Sequence, residues 1–246
     1  NSKFLIDSHE NIIFVTSGYA QSFAIENNSV STGNLCSGDG DNNCLIKLDS
    51  SGNVIFMSYI TGNYGGSTSV AVDLNDNIYV SGWTDRYLNN GPVQAVAIGN
   101  GNYYGPFLQK FDSYGNHIFT RIYPPYEEEN DMYIIDEIVL LNDLIYTKIA
   151  INDSMLLVSD GYFITDTLTF GTNFNANTVV TLKFSTTGNL LGYYDNSLVK
   201  APTEVFSNHL LNITGDTVFE LDTANLNIIG THIYPGLSNV QINDDK

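Results

Sequence analysis

The residues of this chain best suited to chemistry are the oxygen-bearing side chains of one short loop. Asp39, Asp41 and Asn43 stand at alternate positions, so their oxygens can converge on one Ca²⁺ ion. The match to the helix-loop-helix calcium motif ends there, because Cys44 stands where the motif needs Gly and Ser50 where it needs a bidentate Glu. The alternative is a polar, turn-forming loop without an ion. We therefore expect no cofactor, with Ca²⁺ as the open alternative.

The two cysteines of the chain bracket this same loop. In an exported protein, Cys36 and Cys44 would most simply close the loop by a disulfide, since the glycines between them permit a tight return. The alternative is a pair of free thiols in a reducing compartment. A zinc site is less attractive, because two ligands without a nearby His do not make a tetrahedron.

A second candidate site consists of aromatic residues in or beside the predicted loops. Exposed rings can stack on a sugar or pack against a partner protein. The alternative is cross-strand packing, which is what most aromatic residues do in sheets. The candidate binding residues are Trp83, Tyr87, Tyr103, Tyr104 and Tyr126.

The remaining titratable residues form no recognisable catalytic motif. The acidic run at residues 127–131 has no basic, nucleophilic or His partner in sequence, which is typical of a solvated loop. The four histidines stand in no metal-binding spacing and accompany no nucleophile motif. The sequence therefore predicts no catalytic residue, although carboxylates from distant segments could still converge in three dimensions.

The elements that must position these residues are repeated hairpins. One phrase, Lys, apolar, Asp or Ser, then a turn with Gly-Asn, occurs at residues 47–55, 110–118 and 183–191, and a variant without the Lys and the Gly occurs at 220–228. Apolar residues alternate with polar ones on both sides of each turn, which predicts strands. We expect Asp49 and Asp112 to bind the turn backbone, and Gly52, Gly115 and Gly188 to have positive φ. In the fourth copy Asn225 is predicted to take the place of the Gly.

A second phrase precedes each of these hairpins and also predicts two strands around a polar turn. Its copies lie at residues 4–14, 70–80, 138–146 and 205–213. Two hairpins in series make a four-stranded antiparallel unit, which is one blade of a β-propeller. We predict an all-β single domain over residues 1–246, with blades at about 1–66, 67–133, 134–200 and 201–240. The long loops are predicted near 19–43, 85–103, 124–133 and 151–176.

The paired phrases resemble a known family, the bacterial β-propeller repeat called the SBBP repeat. The resemblance is carried by residues 69–73 with 77–82, then 107–112 with 115–116, and by 169–171 before 180–184. It covers most of residues 3–234. It implies a secreted or surface-exposed propeller, often one module of a larger protein, with no catalytic residues to transfer. Four blades are recognisable, so the chain is either a small propeller or part of a larger one.

The net charge and the length of the apolar runs argue against two classes of partner. The net charge of −18 repels phosphate backbones, so we expect no nucleic acid. No apolar run is long enough to span a bilayer, so we expect no membrane insertion. The sequence predicts a non-catalytic extracellular or cell-surface module that binds protein or glycan or serves structural assembly. The alternative is a propeller-fold hydrolase or lyase with carboxylates converging near the axis.

The predicted disulfide can be tested by alkylation. If Cys36 and Cys44 are bridged, iodoacetamide adds nothing to the unreduced denatured protein and labels both cysteines after reduction. Intact-mass spectrometry reads both states, and peptide mapping identifies the bridged pair. Two labelled thiols before reduction would contradict the bridge.

Overall fold

The computed structural model describes residues 4–18, 22–25, 28–31, 42–62, 65–84, 87–89, 95–97, 105–122, 135–151, 157–158, 168–169, 178–195 and 202–235. These residues form strands and turns and include no helix, so the predicted all-β class is confirmed. No helix in this part of the chain has the length and apolar character needed to cross a membrane.

The described residues form twenty-two strands. In chain order they are β1 Phe4–Ile6, β2 Ile12–Gly18, β3 Ser22–Ile25, β4 Asn28–Ser31, β5 Asn42–Leu48, β6 Val54–Gly62, β7 Gly65–Val72, β8 Ile78–Thr84, β9 Tyr87–Asn89, β10 Ala95–Ala97, β11 Gly105–Phe111, β12 His117–Ile122, β13 Ile135–Leu141, β14 Leu144–Ile151, β15 Leu157–Val158, β16 Leu168–Thr169, β17 Thr178–Ser185, β18 Leu190–Asp195, β19 Glu204–Phe206, β20 His209–Thr214, β21 Thr217–Leu221 and β22 Ile228–Ile233.

Sixteen of these strands form four antiparallel sheets of four, as the two repeated phrases predict. We call the sheets unit 1 (β1, β2, β5, β6), unit 2 (β7, β8, β11, β12), unit 3 (β13, β14, β17, β18) and unit 4 (β19 to β22). Within each unit the strands are paired in chain order, so the first strand forms one edge. The fourth strand is at the opposite side of each quartet.

A hairpin from the unit 2 sequence extends the sheet of unit 1, which sequence reasoning did not predict. Strands β9 and β10 lie in the connection between β8 and β11, yet β9 pairs with the end of β6 at Thr61 to Leu88 and Gly62 to Tyr87. This addition covers part of an edge strand that would otherwise offer free peptide groups. Units 1 and 2 are therefore joined by backbone pairing as well as by side chains.

The second turn of each unit is built from an Asp or Ser and a left-handed residue. In unit 1, Asp49 Oδ1 accepts the backbone N–H groups of Ser51 and Asn53 at 2.9 and 2.8 Å. Asp112 makes the equivalent bonds in unit 2. The predicted glycines have positive φ, at 83° for Gly52 and 85° for both Gly115 and Gly188. These local predictions are confirmed.

The prediction for the fourth turn is wrong, because Leu226 and not Asn225 has positive φ there, at 58°. The turn is one residue longer than the others: Asp222 N donates to Asn227 O, whereas Asp49 N donates to Asn53 O. The longer turn places Leu226 in the core, where it is fully buried. Burial of a leucine is worth about 2 kcal/mol, which offsets the cost of about 1 kcal/mol for a left-handed residue with a side chain.

The core lies between neighbouring units, because the strands alternate their side chains between two covered faces. In unit 2, Phe107 packs toward unit 1 with Leu45, and Leu108 packs toward unit 3 with Leu182. A third apolar cluster joins units 3 and 4 through Tyr146 and other residues. Each unit therefore depends on its neighbour for the burial of at least one face.

The first strands of all four units line one pocket of about 390 Å³, which we call the axial pocket. Its walls include Leu5 from β1, Val70 from β7, Val139 from β13 and Val205 from β19. The four sheets therefore turn their first strands toward a shared space.

We expect Gly115→Ala to destabilise the protein by about 3 kcal/mol. Its φ of 85° strains any side chain, and an added Cβ would overlap the Phe56 ring of unit 1. Gly215→Ala is the matched control, since Gly215 has φ 64° with nothing within 4 Å of the added Cβ. It should cost only about 1 kcal/mol. Urea unfolding measures both, and equal losses would contradict close packing of the turn on Phe56.

Candidate functional site

The turns of the two repeated phrases lie at the same end of each four-stranded unit, and we call this side of the molecule the turn rim. Hydrogen bonds between turns show this: Ser8 N donates to Asp76 Oδ1 at 3.1 Å, from the first turn of unit 1 to the first turn of unit 2. The short turn between β20 and β21 lies at the opposite end. Antiparallel pairing then puts the other strand ends on the opposite side, which we call the loop rim. Gly18 faces Asn42 there in register, and the long connections start from these ends.

The predicted binding residues belong to the loop rim as far as the structure describes them. Trp83 lies near the end of β8, paired with Gly66 and Pro106. Tyr87 begins β9. Their side chains are not among the described ones, and Tyr103, Tyr104 and Tyr126 lie outside the described residues. Their part in binding stays a prediction.

The predicted Ca²⁺ loop is described only at its end. Asn43 lies inside strand β5 with its side chain fully buried, and Asp39 and Asp41 lie outside the described residues. Cys44 is buried and takes part in a disulfide, while Cys36 lies outside the described residues. Calcium binding and the identity of the bridged pair stay predictions.

Three lysines connect each unit to the second turn of the next one. Each lysine stands two residues before the Asp or Ser of its own second turn, and its ammonium donates to a carbonyl in the neighbouring turn. We call these contacts the lysine bridges. They join Lys47 Nζ to Ser113 O at 3.1 Å, Lys110 Nζ to Thr186 O at 3.0 Å, and Lys183 Nζ to Thr223 O at 3.1 Å.

Further donors reach the same turns from the neighbouring unit. They are Ser58 Oγ to Gly115 O at 2.8 Å, Arg121 Nε to Gly188 O at 2.6 Å, and Tyr194 OH to Ala224 O at 2.6 Å. Each second turn of units 2 to 4 thus receives at least two donors from the unit before it. The turn rim is a hydrogen-bonded surface fixed in geometry.

In unit 1 the bridging lysine also forms a buried ion pair. Lys47 Nζ lies 2.7 Å from Asp7 Oδ2, and the side chains are 5% and 0% exposed. Burial alone would raise the pKa of Asp7. The hydrogen bonds from Lys47, Asn11 and the His9 N–H outweigh that effect and lower the pKa to about 2.

In unit 2 the bridging lysine is held more loosely to its carboxylate. Lys110 Nζ lies 3.9 Å from Asp73 Oδ2 and 4.9 Å from the centre of the Tyr79 ring. Burial lowers the pKa of Lys110, and the charges of Asp73 and Asp143 oppose that shift. Burial together with Asp73 raises the pKa of the Tyr79 hydroxyl, which donates to Asp73 at 3.0 Å. The Tyr79 hydroxyl thus holds Asp73 in the first turn of unit 2, and Lys110 holds the second turn of unit 3.

Unit 4 replaces the bridging lysine with an acid. Glu220 occupies the place of the lysine, one residue before Leu221 and two before Asp222. It pairs with His209 of the neighbouring strand in the same unit. A carboxylate cannot donate to a carbonyl, so the series of lysine bridges ends at unit 4.

One cluster on the turn rim has the residue types of a metal or catalytic site. Ligand atoms of Asp7, His9 and Asp76 lie within 4.8 Å of one another. Ser8 Oγ lies 2.7 Å from Asp76 Oδ2 and 3.0 Å from His9 Nδ1, and His9 Nδ1 lies 2.9 Å from that carboxylate oxygen. Sequence reasoning missed this cluster, because it joins turns 67 residues apart.

The geometry of this cluster fits a structural clasp between units 1 and 2. The Ser8 hydroxyl and the Asp76 carboxylate both contact Nδ1 of His9. In a catalytic triad the serine and the carboxylate contact different nitrogens of the imidazole ring. Asp7 already accepts bonds from Lys47 and Asn11, and Asp76 from Ser8. Burial would raise the pKa of Asp76, and the Ser8 bonds keep it lowered. Each carboxylate therefore has hydrogen-bond donors within the protein, and Asp7 also has the Lys47 ammonium as its counter-charge.

Comparison with known proteins assigns no family to this arrangement. No protein-family model matches the chain. No curated protein matches it either.

We expect Lys47→Met to destabilise the protein by about 3 to 5 kcal/mol, because it leaves the Asp7 carboxylate buried without its partner. The Asp7 pKa of about 2 lies below its unfolded value of 3.8, so its contribution is present above pH 4. About 2 kcal/mol should be lost as the pH falls from 4 toward 2. Urea unfolding at a series of pH values measures this loss.

Lys183→Met is the matched control, since Lys183 makes the same lysine bridge on a more exposed surface. Lys183→Met should lower the free energy of unfolding by at most about 1 kcal/mol. The stability lost between pH 4 and pH 2 should be the same as in the wild type. In Lys47→Met the stability lost between pH 4 and pH 2 should be smaller than in the wild type. An equal cost for the two variants would contradict the role of the buried pair.

Proposed function

We propose that this chain is a β-propeller whose four units are its blades, and that it acts as a non-catalytic recognition module. Its ligand is a protein or a glycan, engaged through the loop rim. One observation carries the proposal: the turns of the repeated phrases occupy one rim in every unit, while the long connections leave from the other.

The propeller arrangement is supported by the axial pocket and the lysine bridges. First strands from every unit line one space, and equivalent donors link unit 1 to 2, 2 to 3 and 3 to 4. Units that repeat the same contacts while their first strands line one space can fan around that space, as the blades of a propeller do. The same arrangement supports the resemblance to the SBBP repeat, which we retain as part of the proposal.

Recognition through the loop rim is supported by the composition of its connections. Residues 19–41, 85–104, 123–134 and 152–177 contain eight of the sixteen tyrosines. They also contain eleven carboxylates and a single cation, Arg86. Tyrosine offers a large, stiff surface with a polar end, and carboxylates bind sugar hydroxyls or basic side chains. This surface disfavours nucleic acid.

The alternative class is a hydrolase or lyase with carboxylates converging on the axis. Such a site would place acids with perturbed pKa values in the axial pocket. The described residues that line this pocket carry aliphatic side chains and two hydroxyls. This composition favours the recognition module.

An extracellular location is part of the proposal. The disulfide at Cys44 supports an oxidising compartment, since cytosolic thiols are normally kept reduced. The module would then work at a cell surface or within a larger extracellular assembly, without inserting into the membrane.

The single tryptophan gives a direct test, because Trp83 lies at the loop rim. Titration with soluble polysaccharides, and separately with purified surface proteins, should change its emission in a saturable way. Tyr103→Ser with Tyr104→Ser should weaken that binding at least about tenfold, through lost ring contacts. The titrations are read by fluorescence and by calorimetry.

Tyr114→Ser is the matched control, since Tyr114 lies on the turn rim and is 78% exposed. It should leave affinity unchanged. Binding that is lost in Tyr114→Ser but kept in the double variant would contradict the proposal. Turnover of a polysaccharide by the wild-type protein would favour the hydrolase instead.

A further inference from the structure

The axial pocket has the size of a ligand site. Its volume of about 390 Å³ falls within the range typical of small-molecule pockets. The residues nearest the turns, Ile6, Val72, Leu140 and Val205, place its mouth on the turn rim. It is therefore separate from the loop rim of the proposed recognition function.

The walls of this pocket are aliphatic and partly open to water. Ile6 at the mouth is 63% exposed, although it stands in a strand and lines the pocket. Val70 and Val139 continue the apolar surface inward and are 6% and 5% exposed. An apolar ligand would remove the exposed part of this surface from water, which favours binding.

The two hydroxyls that line the pocket already accept hydrogen bonds from backbone N–H groups of the protein. Ser69 Oγ accepts the N–H of Ile138 at 3.2 Å. Thr203 Oγ1 accepts the N–H of Ile213 at 3.0 Å. None of the described residues that line the pocket is titratable, so a charged ligand would lose its hydration without gaining an opposite charge. The net charge of −18 disfavours anions further.

The first strands supply weaker polar contacts at the pocket wall. Strands β1, β7, β13 and β19 each pair with a strand on one side only among the described residues. Apart from the Ile138 N–H, which Ser69 accepts, their other edges carry peptide groups that can bind one hydroxyl or carbonyl of a ligand. The pocket thus combines aliphatic surface with neutral hydrogen-bonding groups.

We infer that the axial pocket binds an uncharged, mainly aliphatic small molecule that enters from the turn rim. Aliphatic walls match its hydrocarbon part, the free strand edges match one neutral polar group, and the absence of charged lining side chains among the described residues selects against ions. This site is independent of the loop rim.

The experiment uses the neutral fluorescent probe N-phenyl-1-naphthylamine with the full chain. We expect saturable binding at one site, and displacement by 1-octanol at least about tenfold better than by octanoate or octylammonium. Ile6→Asp should weaken probe binding at least about tenfold, because it puts a charge at the mouth. Ile229→Asp is the matched control, since Ile229 of unit 4 is 61% exposed. It should leave probe binding unchanged.

The competition series uses the wild-type protein, so it tests the inference even if Ile6→Asp does not fold. Saturable binding, preference for octanol and loss in Ile6→Asp alone would support it. Absence of saturable binding, displacement by octanoate as good as by octanol, or equal loss in both variants would overturn it. A variant of the predicted binding residues such as Tyr103→Ser should bind the probe like the wild type.

Discussion

The structure depends on donors that cross from each sheet to the second turn of the next. A turn carbonyl must find a partner when a neighbouring sheet covers it, and a lysine ammonium supplies that partner across three successive boundaries. Apolar clusters provide most of the stabilising free energy at the same boundaries. Apolar contacts are not directional, so they do not select which turn faces which strand. The lysine bridges fix which turn faces which strand, so they set the relative position of neighbouring sheets.

The division of the molecule into two rims follows from this constraint. Turns that receive donors from the preceding unit are held by them, and even the longer turn of unit 4 keeps its bond from Lys183 at 3.1 Å. The longer connections at the other strand ends, residues 19–41, 85–104, 123–134 and 152–177, are acidic and rich in tyrosine, whereas the β6–β7 and β20–β21 connections are short. Hydrogen-bonded turns on one side therefore support long connections on the other, which is a common arrangement for recognition.

The sequence predicts the parts of this fold that depend on neighbouring residues in the chain. The alternation of apolar and polar residues predicts the strands. The Asp and Gly of the second turns predict the hydrogen bonds and the positive φ found there, as Asp49 and Gly115 show. Leu226 shows the limit, since a buried contact with unit 3 decides the shape of its turn. The pair of Asp7 and Lys47 was also missed, because its partners are forty residues apart and meet only after two strands pair. The repeated lysine was visible in the phrase, but its acceptor lies in another unit.

Strand β9 gives the fold an order of assembly. Its partner β6 belongs to unit 1, while β9 itself follows β8 of unit 2 in the chain. A ribosome must therefore deliver much of the second quartet before the first sheet can gain its final strands. Until then the β6 edge can pair with another nascent chain, so a chaperone or slow synthesis at this stage would protect the yield of folded protein.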